Sequence, residues 1–111
     1  MVKKENKIRK KRDYNNIYKN GKIKHGKYII VFTKKNILSY NRFGIVTSKK
    51  IGTAVIRNRV KRQIRAIIIK NKEKIKFNYD IVIVTRHNIK NVSFKEIEKD
   101  FINALRKAGL Y

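Results

Sequence analysis

One amphipathic segment, from about Ala54 to Asn71, constrains the fold of this chain more than any other feature. Four of its apolar residues recur with helical spacing and form one stripe that has to be buried: Val60, Ile64, Ile67 and Ile68. The segment contains no Asp or Glu, and the whole stretch 14–72 carries 16 Lys and Arg without a single carboxylate. The pattern therefore predicts a helix that packs on a core along one side and carries unpaired positive charge on another.

The remaining patterns predict short elements around this helix. An aromatic helix over Asp13–Asn20 precedes β-rich runs at 28–33, 42–48 and 79–85, with a short edge strand near 22–24. The last run is almost continuously apolar, which is typical of a strand buried on both faces. A final helix follows the capping box of Ser93 and Glu96. The predicted order is αβββαβα, an α+β class sandwich, in a single domain of residues 1–111 whose first ten residues are a flexible basic arm with little to bury.

Composition narrows the partners of such a domain. The chain has 111 residues, 41% of them hydrophobic, so it can fold, and its formal net charge is +24. The self-repulsion of that charge would be relieved by binding a polyanion, and nucleic acid is the first candidate. An anionic membrane surface would instead need one long amphipathic helix, and the sequence has no 18-residue apolar run, so no membrane association is expected. There is no Cys and hence no disulfide partner, and a cytoplasmic location is expected.

The hydrogen-bonding side chains of the amphipathic segment are not scattered around the helix. At 100° per residue, five of them fall on one flank beside the apolar stripe: Arg57, Asn58, Lys61, Arg62 and Arg65. Arg59 points almost opposite the core, and Lys49 and Lys50 lie just ahead of the helix. A basic helix face can simply be solvated, but no acid stands four residues away to pair with these side chains. We therefore interpret these eight residues as an RNA-binding surface.

A second candidate surface is aromatic. Tyr14 and Tyr18 lie one helical turn apart, and strand alternation puts Tyr28, Ile30 and Phe32 on one face. If the first helix packs beside that face, the rings form a groove on which unpaired bases can stack. Burial in an ordinary core is the alternative for each of these rings.

The sequence offers little for catalysis by the protein itself. A metal nuclease needs two or three convergent carboxylates, but Glu73 and Asp80 are the only acids between residues 14 and 95. His25 and His87 are far apart, and solvated loop positions are the simpler interpretation of both. The acids of the final helix are expected to serve its dipole and its i,i+4 pairs. We predict no catalytic residue and no metal site in the protein.

The stretch Ser48–Arg65 closely resembles the signature of the bacterial ribonuclease P protein family, whose "RNR" motif is Arg57-Asn58-Arg59 here. The resemblance extends over nearly the whole chain, through Asp13-Tyr14, Ile17-Tyr18 and Arg42-Phe43-Gly44-Ile45. It implies a sandwich of the ribosomal-protein domain-2-like type, with a four-stranded mixed sheet and a left-handed βαβ crossover.

The resemblance also implies a function. Such a chain is the protein subunit of the ribonuclease P ribonucleoprotein, a monomer in a 1:1 complex with the catalytic RNA. The RNA subunit requires Mg²⁺ and cleaves the 5′ leader from precursor tRNA. The basic flank would bind that RNA, and the aromatic groove, by position Tyr14, Tyr18, Ile30 and Phe32, would bind the single-stranded leader. The alternatives are a ribosomal or other structural RNA-binding protein of the same fold, and a protein-only nuclease.

Overall fold

The computed structural model describes residues 6–111, and residues 1–5 of the predicted basic arm lie outside this part. Three helices and four strands follow the predicted order: α1 (Lys11–Asn20), β1 (Lys22–His25), β2 (Ile29–Lys35), β3 (Arg42–Val46), α2 (Ala54–Asn71), β4 (Tyr79–Thr85) and α3 (Phe94–Lys107). Both later helices begin with a capped N-terminus: the Thr53 hydroxyl accepts from the Ile56 N–H, and the Ser93 hydroxyl accepts from the Glu96 N–H. The predicted bounds of α2 are confirmed.

The four strands form one mixed sheet in the order β1-β2-β4-β3. β2 pairs antiparallel with both β1 and β4, whereas β3 and β4 are parallel neighbours joined through α2. β4 is an inner strand, which explains its continuous apolar run: Ile81, Val82 and Ile83 are fully buried. The α+β class and the mixed sheet are confirmed. The left-handed sense of the β3–α2–β4 crossover stays a prediction.

The sheet is covered on both faces, but unequally. The larger core lies between the sheet and the helices α2 and α3, where the predicted stripe of α2 is at most 1% exposed. The smaller core lies under α1, where Ile17 packs with Val82 and with Ile8. Because β4 contributes alternate residues to the two cores, one strand fixes the relative position of the RNA-binding candidates on α1 and α2.

The expectation that the basic arm has little to bury is wrong for Ile8. This side chain is only 5% exposed, and its N–H donates to the Phe43 carbonyl at 3.0 Å. Lys7 forms an isolated parallel bridge with Phe43, so this segment pairs with the outer edge of β3. The side chain of Asn6 adds a hydrogen bond to the Asn41 carbonyl. A single apolar residue within a basic run anchors the segment, because it fills the smaller core.

Candidate nucleic-acid interface

The basic flank of α2 lies beside the buried stripe, as the helical projection predicts. Arg57 and Lys61 are half-buried next to the core, and the other three residues are exposed: Asn58, Arg62 and Arg65. The Arg57 guanidinium donates to the Gly52 carbonyl at 3.1 Å, which holds this side chain over the start of the helix. Lys49 and Lys50 are exposed in a short 3₁₀ turn whose third residue, Ile51, is buried and anchors the turn.

None of these flank residues forms an ion pair with a carboxylate in residues 6–111. The ion pairs in that range join Arg42 to Asp13 and to Asp80, and Lys70 to Glu98. The acids that form these pairs are thus directed away from the flank. An unpaired guanidinium group keeps its donors available for phosphate oxygens, which it can bind in a bidentate manner.

Arg59 differs from the rest of the motif. It is exposed and points away from the core, as predicted, but its Nη2 donates to the Lys90 carbonyl at 2.6 Å. This bond joins the first half of α2 to the loop after β4. The RNA-binding role that the sequence suggests for Arg59 stays a prediction, and in this structure its side chain has a bond within the protein.

The aromatic residues of α1 meet β2 on the other side of the sheet. Tyr18 and Phe32 form an edge-to-face pair with ring centroids 4.8 Å apart, and Tyr14 lies 6.3 Å from Tyr18. None of the three rings is fully buried. Burial raises the pKa of the Tyr18 hydroxyl; burial and then the nearby Tyr18 raise the pKa of the Tyr14 hydroxyl. These three rings, called the aromatic face below, keep part of their surface accessible to bases.

The structure brings only part of the predicted aromatic set together. Ile30 is half-buried between the buried residues Ile29 and Val31, which places it on the same side of β2 as Phe32. Tyr28 was predicted on that side too, but it packs against the larger core on the opposite side. It precedes the first residue of β2, and its N–H donates to Asp100 on α3 at 2.8 Å. Because that bond fixes the chain before the strand begins, strand alternation does not extend to Tyr28.

Gly44 is a site residue to which the sequence patterns assigned no role of its own. A Cβ atom at this position would lie 2.5 Å from the Tyr14 Oη, so only glycine lets the ring of Tyr14 lie against β3. The Tyr14 hydroxyl then donates to the Ile8 carbonyl at 3.1 Å. A glycine inside a strand marks a close approach of other atoms, and this signal could have identified it.

A cleft of about 150 Å³ joins the two candidate surfaces at the edge of β3. Lys61 and Arg65 from α2 line this cleft, together with Tyr14 from α1, Gly44 from β3 and Lys7. The basic flank and the aromatic face therefore each contribute to the lining of one cleft, the flank through Lys61 and Arg65 and the face through Tyr14.

Two acids of the final helix have structural roles that differ from the expectation of dipole and i,i+4 interactions. Asp100 accepts the backbone N–H groups of Lys27, Tyr28 and Ile29, at 2.8 to 3.2 Å. Glu98 bonds Asn71 and Lys70 on α2. The hydrogen bond from Asn71 is the main cause that lowers the pKa of Glu98. Both acids thus hold other elements in place, because α3 packs against the sheet and α2.

Asp80 forms an ion pair with Arg42 at the start of its strand. His25 and His87 are both exposed. Within residues 6–111, no three His, Cys, Asp or Glu side chains converge as a metal site would require. No helix in this range is long and apolar enough to cross a membrane.

Comparisons with known proteins agree with this geometry. The family model described as Ribonuclease P matches residues 2–109. The "Ribonuclease P protein component" of Syntrophomonas wolfei is 46% identical over 111 residues, which is 100% of this chain and 93% of the relative. The protein of the same name from Fusobacterium nucleatum is 44% identical, over 95% of this chain and 98% of the relative.

Solved structures show the same fold. A Staphylococcus aureus RNase P protein mutant superposes with a TM-score of 0.91 at 32% identity, covering 97% of this chain and 92% of the other. The RNase P protein from Thermotoga maritima gives a TM-score of 0.84 at 34% identity, covering 91% and 96%. With a family model that spans nearly all residues, and relatives that match over nearly their full length, the chain belongs to the ribonuclease P protein family.

Proposed function

We propose that this chain is the protein subunit of ribonuclease P and assists removal of the 5′ leader from precursor tRNA. Family membership supports the assignment, and one structural observation supports the proposed mode of RNA binding. The basic flank of α2 and the aromatic face meet in the cleft at Gly44, so one molecule presents phosphate-binding and base-stacking groups side by side.

The basic flank binds the catalytic RNA in this proposal. Its four cationic side chains, with Lys49 and Lys50 ahead of the helix, form no ion pair in residues 6–111 and are free to replace the counterions of an RNA backbone. Asn58 is exposed between two arginines, and its amide can reach a base edge or a 2′-hydroxyl.

The aromatic face binds the single-stranded leader. Tyr18 and Phe32 support one another edge to face, so a base that stacks on either ring meets a preorganised surface. Ile30 extends this face along β2. Because mature tRNA lacks the leader, the contact favours the precursor over the product.

The chemistry belongs to the RNA subunit in this proposal, and Mg²⁺ serves that RNA. Carboxylates that a protein-bound metal would need are engaged elsewhere: Asp80 binds Arg42, Asp100 binds three backbone amides, and Glu98 binds α2. The protein acts by binding, as one copy with one RNA subunit.

The test is reconstitution with the ribonuclease P RNA encoded in the same genome. At limiting Mg²⁺, addition of the protein should stimulate cleavage of precursor tRNA at the mature 5′ end. A variant with Arg62→Ala and Arg65→Ala should lose most of this stimulation. The matched control Lys95→Ala and Lys99→Ala removes two exposed charges from α3 and should retain it.

Two outcomes would contradict the proposal. RNA binding without any stimulation, and without a preference for the leader, would identify a structural RNA-binding protein of the same fold. Cleavage by the protein alone, free of the RNA subunit and of contaminating nucleases, would identify a protein-only nuclease.

A further inference from the structure

A second exposed surface lies at the opposite end of the sheet from the start of α2. The helix starts beyond the last residue of β3, and β4 runs parallel to β3, so the start of β4 lies at the far end. Two apolar side chains are exposed there. Ile37 in the turn after β2 is fully accessible, and Phe77 just before β4 is 67% exposed.

The exposure of Phe77 does not come from a loose loop, because hydrogen bonds fix the backbone on both sides of it. The Lys76 N–H donates to the Leu110 carbonyl at 2.8 Å, and the Lys76 carbonyl accepts from the buried Asn41 amide at 2.8 Å. On the other side, the Asn78 carbonyl accepts from the Asn36 N–H at 2.7 Å. The ring is therefore held in solvent by a rigid backbone.

Asn78 adds a conformational reason. Its φ of 71° is the only positive φ of a non-glycine residue in the described part of the chain. Asn tolerates this left-handed region better than most residues, but the conformation is still uncommon and is often found at functional positions. Asn78 lies between Phe77 and Tyr79, the first residue of β4.

The charges around this ring favour one class of partner. Four exposed lysines either precede it by one to five residues or lie opposite Tyr79 in the sheet: Lys72, Lys74, Lys76 and Lys35. Glu73 is the only exposed acid among them, since Asp80 is buried against Arg42. A second copy of this chain is disfavoured as the partner, because it would bring a further net charge of +24 to an already basic surface. A polyanion with unpaired bases satisfies both the lysines and the exposed ring.

We propose that Phe77, together with Ile37 and these four lysines, is a separate RNA contact in which an unpaired base stacks on the Phe77 ring. This inference goes beyond the function proposed above, and it rests only on the chain acting as an RNA-binding protein. The site would take a single-stranded or bulged segment of RNA, since a base inside a duplex has no free face to stack. Its distance from the start of α2 makes it a contact to a different part of the bound RNA.

The first experiment uses the absence of Trp from the chain, so that Phe77→Trp introduces its only Trp, whose emission can be excited apart from that of the tyrosines. Emission of this variant should be quenched when the protein is saturated with ribonuclease P RNA or with precursor tRNA. The control Asn103→Trp places the fluorophore on the exposed side of α3 and should not respond. Quenching by either RNA supports the proposal, whereas unchanged emission at saturation with both overturns it.

The second experiment measures affinity. Phe77→Ala should weaken binding of the responsive RNA by about 5- to 100-fold, the range expected for one lost stacking contact. Phe77→Leu keeps an apolar side chain without a ring and should weaken it similarly. Wild-type affinity in both variants overturns the proposal. A concentration-dependent change in the emission of the Phe77→Trp variant without RNA also overturns it, because that change would indicate self-association. If the wild type itself binds neither RNA, the proposed function fails rather than this inference alone.

Discussion

Arg42 holds both carboxylate oxygens of Asp80, with Nε 2.8 Å from Oδ1 and Nη2 2.6 Å from Oδ2. The third nitrogen, Nη1, lies 3.5 Å from Asp13 on α1. Hydrogen bonding to Asp80 raises the pKa of Arg42, so the guanidinium stays charged. One side chain thereby joins the first residue of β3, the start of β4 and the helix that carries Tyr14 and Tyr18. Two of the few acids position the aromatic face in this way.

Replacing Arg42 by Met should destabilise the protein by about 3 kcal/mol, because Asp80 is left as a buried charge without its cation. Urea denaturation measures the change in the free energy of unfolding. The control Lys70→Met breaks an ion pair whose lysine is 63% exposed, and it should cost only about 0–1 kcal/mol. Equal costs for the two variants would contradict a special role of the Arg42–Asp80 pair.

Substitutions on the basic flank should change how RNA affinity depends on salt. Arg62→Ala and Arg65→Ala should each make the negative slope of log K against log salt less steep by about 0.7–1, as expected when one phosphate contact is lost. Filter binding at a series of KCl concentrations measures the slope. Lys95→Ala on α3 should leave it unchanged, and a drop of similar size in that variant would point to diffuse attraction instead of a directed flank.

The aromatic face should govern the preference for precursor tRNA. Tyr18→Ala and Phe32→Ala should each weaken binding of precursor to the reconstituted enzyme by about 5- to 100-fold, since each removes a ring on which a base can stack. Binding of mature tRNA, which has no leader, serves as the internal control. An equal loss for both tRNAs would show that these rings maintain the fold and do not read the leader.

Gly44 and Tyr14 allow packing and hydrogen bonding to be separated. Gly44→Ala should displace the Tyr14 ring, because the new Cβ would meet its Oη and ring carbons at 2.5 to 2.8 Å. Leader-dependent affinity should then fall. Tyr14→Phe keeps the ring and loses only the bond to Ile8, so it should cost about 1 kcal/mol of stability and leave leader affinity intact. If Gly44→Ala keeps full leader affinity, the packing of the Tyr14 ring against β3 is not required for leader binding.

Glu98 should contribute to the pH dependence of stability. Its pKa is lower in the folded protein than in the unfolded chain, so its contribution is present above the unfolded pKa and is lost as pH falls through the folded pKa. Glu98→Gln should therefore lower Tm at neutral pH and flatten the fall of Tm in acid. Thermal melts from pH 7 to pH 3 test this, with the exposed Glu73→Gln as control. Parallel curves for Glu98→Gln and wild type would contradict it.

The helices, the strands and the basic flank were predictable from the amino-acid sequence alone. The α2 stripe, its bounds and the exposed arginines follow from the 3.6-residue period, and the two-sided burial of β4 follows from its continuous apolar run. These are local properties, because they depend only on which side chains share a face. The lack of nearby acids likewise predicted that the flank forms no ion pair within residues 6–111, and its binding of a polyanion stays a prediction.

The meeting of distant residues, in contrast, depends on the tertiary structure. Tyr28 faces the larger core because its N–H donates to Asp100 on α3, and Ile8 is buried because its segment packs against β3. The Arg59 side chain likewise donates a hydrogen bond to the Lys90 carbonyl, and the ring of Tyr14 packs against Gly44. Each of these contacts joins segments whose approach depends on how helices and strands pack together. No period within one element encodes that docking, since it results from the combined packing of both faces of the sheet.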